Sequence, residues 1–332
     1  MANTITRVEI NDFLVFKKEF TVDFCPGINV LIGGNGTGKT TLMKVMYAAC
    51  QFSIENGKAL DVNGWSDDFG RVFSNHFEDK PGSYKIRVNI GNCELENMLD
   101  RHRFFARGDY PALSSYFIPV TNILSHSEGM VELSVKYKTP FDKTELDAFV
   151  NAGLPNAQNV IARNKRILKK ISEVMHGEVI SLDGVFYTKK DNGELIDLNL
   201  EASGYGRLGL LWKFIRNGLL ESGSILFWDE PEASINPELI PALVDILLEL
   251  QRGGIQIFVA THSYDVARWF ELDKQDVDSL RYINLRKIDG KIIADAADDY
   301  VSLPSSVIED AGDLLLRRVA EVAAANAGVK LK

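Results

Sequence analysis

The sequence contains few of the residues from which disulfide frameworks and zinc sites are built. Its 332 residues include only three cysteines, Cys25, Cys50 and Cys93, and none of them belongs to a Cys-x-x-Cys pair. An odd and widely spaced set of this kind fits neither a secreted disulfide scaffold nor a structural zinc site. We therefore expect a protein of the reducing cytosol.

Long apolar runs and an excess of basic charge are also missing. No segment approaches the ~20 apolar residues of a membrane span, and residues 1–9 lack the apolar stretch of a signal peptide. The 37 Lys and Arg residues are outnumbered by 46 Asp and Glu residues, for a formal net charge of −9. Any affinity for nucleic acid or for an anionic membrane must therefore come from a local patch. We expect a cytoplasmic protein that does not act on a membrane.

The sequence does contain a glycine-rich loop between a predicted strand and a predicted helix. The apolar run Ile28–Ile32 indicates a buried strand, and residues 39–52 carry their apolar side chains on one helical face. The loop between them matches the phosphate-binding pattern G-x-x-x-x-G-K-[ST]. It consists of Gly33, Gly34, Asn35, Gly36, Thr37, Gly38, Lys39 and Thr40, and is followed by Thr41. This pattern predicts that backbone N–H groups and Lys39 bind phosphates and that the Thr40 hydroxyl is a ligand of Mg²⁺.

Two further strands end in polar side chains. The segment Ser224–Trp228 is apolar and runs directly into Asp229 and Glu230. In this position Asp229 would hold Mg²⁺, and Glu230 would orient or deprotonate an attacking water. The apolar strand Ile255–Ala260 is followed by His262, which we place near the γ-phosphate because ligands bind at the carboxyl ends of the strands in open α/β sheets.

These motifs, in this order, resemble those of the soluble ATP-binding-cassette-type ATPases that include RecF, the SMC proteins and the OLD-like ATPases. The likeness covers residues 1–52 and 177–295. Besides the glycine loop and His262, it rests on a RecF-like opening (Val8–Phe13), a signature-like segment (Ala202–Arg207) and a Walker B to D-loop segment (Glu230–Pro237). The signature departs from the usual L-S-G-G-Q at Tyr205 and Gly206, and no Gln follows the predicted strand Tyr116–Val120, where the Q-loop would lie.

The resemblance implies an α/β fold of the P-loop type. We expect a mostly parallel sheet with flanking helices, an N-terminal antiparallel β portion and a mixed middle insertion. The expected division is 1–52 for the first part of the nucleotide-binding domain, 53–176 for the insertion and 177–332 for the second part. Within the insertion, residues 53–113 indicate one strand near 84–90, the stretch after Val120 is irregular, and residues 156–175 indicate a helix. A C-terminal helix is predicted over 305–325.

The resemblance also implies a homodimer that holds ATP and Mg²⁺ between its subunits. Each nucleotide would lie between the glycine loop of one copy and Ser203, Gly204 and Asn236 of the other. The catalytic residues would be Glu230 and His262, and the metal ligands Thr40 and Asp229. Because one chain carries one copy of each motif, two copies are needed for a complete site.

The function implied is a Mg-ATP-dependent ATPase switch that controls a separately encoded effector, such as a nuclease or toxin, in bacterial defence or DNA maintenance. One alternative is the nucleotide-binding subunit of a transporter, although the missing Gln and the RecF-like opening weigh against it. Another is an ATP sensor that does not hydrolyse, although Glu230 weighs against it. A basic helix face (Arg163, Lys165, Arg166, Lys169, Lys170) leaves nucleic acid open as a partner, but most such faces are simply solvated.

Overall fold

The computed structural model describes residues 4–51, 54–55, 58–59, 72–73, 84–98, 103–107, 113–126, 141–201 and 203–304, together with 314, 317–319 and 321–322. The strands are β1 (Ile5–Phe13), β2 (Phe16–Asp23), β3 (Ile28–Gly33), β4 (Ile54–Glu55), β5 (Lys58–Ala59), β6 (Lys85–Ile90), β7 (Cys93–Met98), β8 (Arg103–Arg107), β9 (Ser115–Ile118), β10 (Gly177–Leu182), β11 (Val185–Lys190), β12 (Leu195–Asp197), β13 (Ile225–Asp229), β14 (Gln256–Thr261), β15 (Leu280–Ile288) and β16 (Lys291–Ala297). The α-helices are α1 (Lys39–Cys50), α2 (Lys143–Gly153), α3 (Ala162–Met175), α4 (Ser203–Arg216), α5 (Ile240–Arg252) and α6 (Tyr264–Asp273), with 3-10 segments at Ile123–His126 and Pro237–Leu239.

A six-stranded sheet forms the centre of the protein, in the order β16-β15-β3-β14-β13-β9. The five strands from β15 to β9 are parallel, and β16 pairs antiparallel with β15 at one edge. The carboxyl ends of β3, β14 and β13 therefore lie side by side at one edge of the sheet. The predicted α/β fold with a mostly parallel sheet is confirmed.

The second sheet is antiparallel, in the order β2-β1-β6-β7-β8, and confirms the predicted N-terminal antiparallel portion. The expectation of a single strand within 53–113 is wrong, because β7 and β8 follow β6. Strand β7 alternates apolar and acidic side chains only over Cys93–Glu96, which is a short signal in a segment rich in polar residues. Arg87 on the adjacent β6 forms ion pairs with Glu94 and Glu96, at 3.3 and 2.7 Å, and such cross-strand pairs stabilise a sheet in place of apolar contacts.

Both faces of the central sheet are covered. Side chains alternate along β3, so that Val30 and Ile32 pack against the core on the side of α2–α6. Leu31 packs on the opposite face with α1 and the antiparallel sheet. A strand that is buried on both faces has no polar alternation, which explains the mostly apolar run in the sequence. Asn29 is the exception, and its side chain accepts from the Cys25 N–H and donates to the Cys25 carbonyl.

Two helices in the middle of the chain differ from expectation. The irregular stretch after Val120 contains α2, whose N-terminus is closed by a capping box between Asp142 and Glu145. The helix predicted from residue 156 begins only at Ala162. It starts later because the preceding loop bonds to α4 instead, with the Ala157 N–H donating to the Arg216 carbonyl at 3.0 Å.

Residues between 53 and 176 contribute to both sheets, because β6 pairs with β1 and β9 pairs with β13. The division of the chain at 52/53 and at 176/177 stays a prediction. The expected C-terminal helix lies largely outside the described residues; those described between 314 and 322 are helical. None of the helices that the structure describes is long and apolar enough to cross a membrane.

A buried glutamine joins the two sheets. Gln256, at the start of β14, accepts a hydrogen bond from the Ile5 N–H and donates to the carbonyls of Ile5 and Cys25, each at 2.8 Å. The side chain is 1% exposed, so water cannot replace these bonds. The side-chain amide thus provides hydrogen-bond partners for main-chain groups at the start of β1 and just before β3.

We predict that Gln256→Leu lowers the free energy of unfolding by about 3 kcal/mol, because the Ile5 N–H and carbonyl lose their Gln256 partner inside the protein and the Cys25 carbonyl is left with its bond from Asn29 Nδ2. Urea unfolding of the variant and the wild type measures the difference. The exposed Gln275→Leu is the control and should stay within about 0.5 kcal/mol of the wild type. Equal stabilities for the two variants would show that the Gln256 bonds add nothing.

Candidate functional site

The glycine loop joins β3 to α1 at the carboxyl edge of the central sheet. Its shape requires glycine at both ends. Gly33 has φ 146° and a Cβ there would overlap the Leu285 carbonyl, while Gly38 has φ 92° and a Cβ would lie 2.7 Å from the Phe16 ring. Gly36, between them, has φ 74°. These left-handed conformations are open to glycine at little cost and are strained for other residues.

Lys39 lies at the start of α1 with its amino group folded over the loop. Its Nζ donates to the carbonyls of Gly33 and Gly34, at 2.8 and 3.2 Å, and lies 3.5 Å from His262 Nδ1. Burial lowers the pKa of Lys39, and the charge of the nearby Asp229 carboxylate acts in the opposite direction. Because its acceptors are neutral carbonyls, the charge of Lys39 is available to an anionic ligand of the loop.

A threonine and an aspartate meet beside this loop. The Thr40 hydroxyl donates to Asp229 Oδ2 at 2.7 Å. Burial raises the pKa of Asp229 to about 6, against the effect of the Thr40 hydrogen bond. Within the described ranges, no three His, Cys, Asp or Glu side chains cluster to hold a metal by themselves. One buried carboxylate beside a hydroxyl fits Mg²⁺, which usually takes one or two carboxylates and completes its shell with phosphate and water oxygens.

Glu230 and His262 approach each other from adjacent strands. Glu230 has φ 47°, its N–H donates to the Ala260 carbonyl at 2.8 Å, and its Oε1 lies 3.4 Å from His262 Nε2. Burial, and then the charge of Lys39, lower the pKa of His262, which is therefore neutral at pH 7. A proton on Nε2 satisfies both contacts, because Nδ1 can then accept from Lys39 while Nε2–H faces Glu230.

The remaining predicted site residues form a second group. Ser203 is the first residue of α4, and its side chain lies outside the described part of the chain. Gly204 packs so closely on Ser234 that a Cβ would overlap the Ser234 carbonyl. Asn236 accepts a hydrogen bond from the Glu238 N–H at 3.3 Å and caps the 3-10 segment. Among the described residues, neither Gly204 nor Asn236 forms a hydrogen bond or ion pair with the glycine loop.

Sequence reasoning missed a buried arginine that connects the two groups. Arg207, in the first turn of α4, donates to the carbonyls of Ala233 and Asp229, each at 2.7 Å, and also to that of Glu230. Burial lowers its pKa against the attraction of the nearby carboxylates, of which Glu232 comes first. The residue stands at the end of the signature-like segment, but no sequence signal indicates that main-chain oxygens are its partners.

Two other contributors were not predicted. Asn122, just after β9, lies against α4, where a Cβ on Gly206 would overlap its side chain. The sequence did offer one signal for Asn122, because it lies after the strand where a Q-loop Gln is expected. Glu232 accepts hydrogen bonds from the loop that carries His262, including one from the His262 N–H at 2.8 Å. The 30-residue separation hides that contact from the sequence.

We predict that Asp229→Asn stabilises the protein increasingly as the pH rises, in metal-free buffer. The pKa of Asp229 is raised in the folded protein, so the folded state holds its proton more tightly, and wild-type stability falls as the pH rises from about 4 through 6. Asparagine does not titrate, so its advantage should grow from about 1 kcal/mol near pH 4.5 to about 3 kcal/mol at pH 8. Urea unfolding across this range measures it.

The exposed Asp191→Asn is the control for this prediction, because its side chain lies in a turn far from the glycine loop in the sequence. Its stability should follow that of the wild type at every pH. An advantage of Asp229→Asn that does not change with pH would contradict the assigned burial of the charge.

Comparisons with known proteins agree with this geometry. Residues 83–267, more than half of the chain, match the family described as "AAA domain, putative AbiEii toxin, Type IV TA system". The chain is 27% identical over 206 residues to the DNA replication and repair protein RecF of Oenococcus oeni, which covers 59% of this chain and 52% of that protein. The matches thus span about half the length of the curated RecF relatives.

Two solved structures share the fold. The SMC head bound to the C-winged helix domain of ScpA has a TM-score of 0.54 at 12% identity, covering 88% of this chain and 97% of that one. The Pyrococcus furiosus SMC head domain with an extended coiled coil, bound to the C-terminal domain of ScpA, has a TM-score of 0.50 at 11% identity, covering 95% and 99%. The glycine loop, the carboxylates at the end of β13 and the family match lead to one conclusion: the chain belongs to this AAA-domain family and has a P-loop fold, with sequence similarity to RecF and structural similarity to the SMC heads.

Proposed function

We propose that the protein is a Mg-ATP-dependent ATPase switch, which closes into a dimer on ATP and thereby controls a separately encoded effector. The observation that carries the proposal is the cluster at the carboxyl edge of the central sheet. There Thr40 donates to Asp229, Lys39 approaches His262, and His262 approaches Glu230. These groups match the needs of phosphoryl transfer to water: anion binding, a metal site and a base.

The chain would hold the nucleotide with its loop and α1. The backbone N–H groups of the loop and the N-terminus of α1 attract phosphate, and Lys39 can exchange its carbonyl acceptors for phosphate oxygens. Thr40 and Asp229 would hold Mg²⁺. The metal, when bound there, would neutralise phosphate charge and so ease attack at the γ-phosphorus. A cation beside Asp229 would also compensate the buried carboxylate.

Glu230 is the residue we assign as the base. Its carboxylate would orient a water molecule and accept its proton while the water oxygen bonds to the γ-phosphorus and the bond to the β-phosphate oxygen breaks. His262, neutral and with Nε2–H directed at Glu230, would hold that carboxylate in place beside the γ-phosphate. The product pair is ADP and inorganic phosphate.

We propose a second copy because neither Gly204 nor Asn236, as described, forms a hydrogen bond with the glycine loop of its own chain. Gly204 packs on Ser234, and the start of α4 would face the nucleotide of another subunit. Its helix N-terminus would attract the γ-phosphate. Hydrolysis would remove that charge and reopen the dimer.

The effector and nucleic acid are proposed as partners by analogy with the relatives. The relatives are named for DNA replication and repair, and two neighbouring structures contain a second protein, ScpA. On α3 the basic face is only partly available: Lys170 is paired with Asp245 and Glu249, at 2.5 and 2.6 Å, whereas Lys165 and Arg166 are exposed. We propose DNA maintenance or bacterial defence as the setting.

We predict that Lys39→Ala weakens ATP binding about 100-fold, because a charge-assisted contact to the phosphates is lost. Glu230→Gln should bind ATP within about threefold of the wild type but lose about 100-fold or more in turnover, because its amide cannot accept the proton. Equilibrium binding of a fluorescent ATP analogue and phosphate release measure these effects. The exposed Lys17→Ala and Glu221→Gln are matched controls. Normal turnover by Glu230→Gln would refute the assigned base.

We predict that Mg-ATP doubles the light-scattering mass of Glu230→Gln and that Mg-ADP does not. Slow hydrolysis should trap the closed pair in this variant, while the wild type dimerises only transiently. Lys39→Ala should stay at its nucleotide-free mass under all conditions. An unchanged monomer mass with ATP bound would contradict closure between two copies and would call for a different partner chain.

A further inference from the structure

The loop that carries His262 is hydrogen-bonded to the carboxylate of Glu232, which follows a different strand, β13. Glu232 Oε1 accepts three hydrogen bonds from this loop: from Thr261 Oγ1 at 2.7 Å, from the His262 N–H at 2.8 Å and from the Ser263 N–H at 3.1 Å. The loop leads from β14 into α6. Three donors on one oxygen therefore define where the His262 backbone lies.

The second oxygen of Glu232 is poorly satisfied. Oε2 is buried, and among the described residues no donor lies within hydrogen-bonding distance of it. A buried carboxylate oxygen without a partner costs free energy, so the residue is not optimal for stability alone.

Glu232 itself stands on the segment that follows β13. That segment begins at Glu230, with φ 47°, and contains Ser234, with φ 63°, on which Gly204 packs. Arg207 holds its carbonyls from the side of α4. The carboxylate thus bridges the backbone of the Walker B segment to that of His262, while the His262 ring is 3.4 Å from Glu230 and 3.5 Å from Lys39.

We propose that Glu232 is a positioning residue for ATP hydrolysis, which holds His262 in register with Glu230 and Lys39 without touching the nucleotide. The proposal deepens the proposed function and rests on it. Without the hydrogen bonds to Glu232 the loop still leads from β14 into α6, but the imidazole of His262 is no longer held at a fixed distance from Glu230. Binding of ATP depends on the glycine loop and should persist.

The first test compares Glu232→Ala, Glu232→Gln and Ser263→Ala. Turnover of Glu232→Ala should fall about 10–100-fold, as is typical when a group that orients a site residue is removed, with ATP affinity within about threefold. Glu232→Gln keeps an acceptor oxygen for the same three donors and should recover most of the turnover. Ser263→Ala removes the side-chain cap of α6, in which the Val266 N–H donates to Ser263 Oγ, but leaves the bond between Glu232 and His262.

Ser263→Ala is the matched control for a purely structural role. It should lower the melting temperature and leave turnover near that of the wild type. Equal losses of turnover in Ser263→Ala and Glu232→Ala would overturn the proposal, because helix capping would then explain both. So would a Glu232→Gln variant as slow as Glu232→Ala, or a Glu232→Ala variant as fast as the wild type.

The second test is a double-mutant cycle with His262→Ala. If Glu232 acts through His262, adding Glu232→Ala to His262→Ala should lower turnover by less than about twofold, since the group to be positioned is already gone. If the fold-loss of turnover in the double variant equals the product of the losses in the two single variants, the residues have independent roles and the proposal is overturned.

Histidine-selective NMR separates failure of this proposal from failure of the proposed function. The His262 ring signals, assigned by their loss in His262→Ala, should shift in Glu232→Ala and stay in place in Ser263→Ala. Unshifted signals in Glu232→Ala would overturn the positioning role even without any turnover assay. A wild type that neither binds nor hydrolyses ATP, together with shifted signals, would overturn the proposed function and leave the link between Glu232 and His262 standing.

Discussion

The parallel pairing of β3, β14 and β13 is the constraint on which the site depends. Its register sets Thr261 opposite Ile32 and Asp229 opposite Ala260. Three segments that are distant in sequence therefore end together, one in a glycine loop, one in two carboxylates and one in a histidine. Backbone hydrogen bonds between buried strands hold this edge, and the apolar cores on both faces prevent the strands from sliding.

Polar cross-links then hold the loops beyond that edge. Arg207 binds the main chain after β13 from α4, and Glu232 binds the main chain after β14. Both are charged groups placed among backbone dipoles, where water is largely excluded and each hydrogen bond is correspondingly strong. The same low polarity raises the pKa of Asp229 and lowers those of Lys39 and His262. The polar contacts thus fix the positions of the site residues, while burial disfavours their charged forms. Such a site suits a charged ligand, whose charge can compensate theirs.

Sequence reasoning went wrong at short elements and at elements whose limits depend on polar contacts. Strand β7 alternates apolar and acidic side chains only over Cys93–Glu96; its Glu96 lies opposite Arg87, which pairs with both Glu94 and Glu96. Helix α2 has no counterpart among the predicted elements, although the capping box of Asp142 and Glu145 is a local signal for its start. The late start of α3 could not be predicted from the sequence, because the competing hydrogen bonds come from α4, more than fifty residues further along.

The amino-acid pattern is enough to predict the class of the protein, through a glycine loop between a buried strand and a helix, two acids at a second strand end and a histidine at a third. These are local patterns, in which a few neighbouring residues carry both the conformation and the chemistry. The contacts between distant side chains become visible only in the folded chain, such as those of Thr40 with Asp229 and of Glu232 with the His262 backbone. Such contacts depend on strand order and on burial of the whole core, and no spacing along one chain encodes either of them.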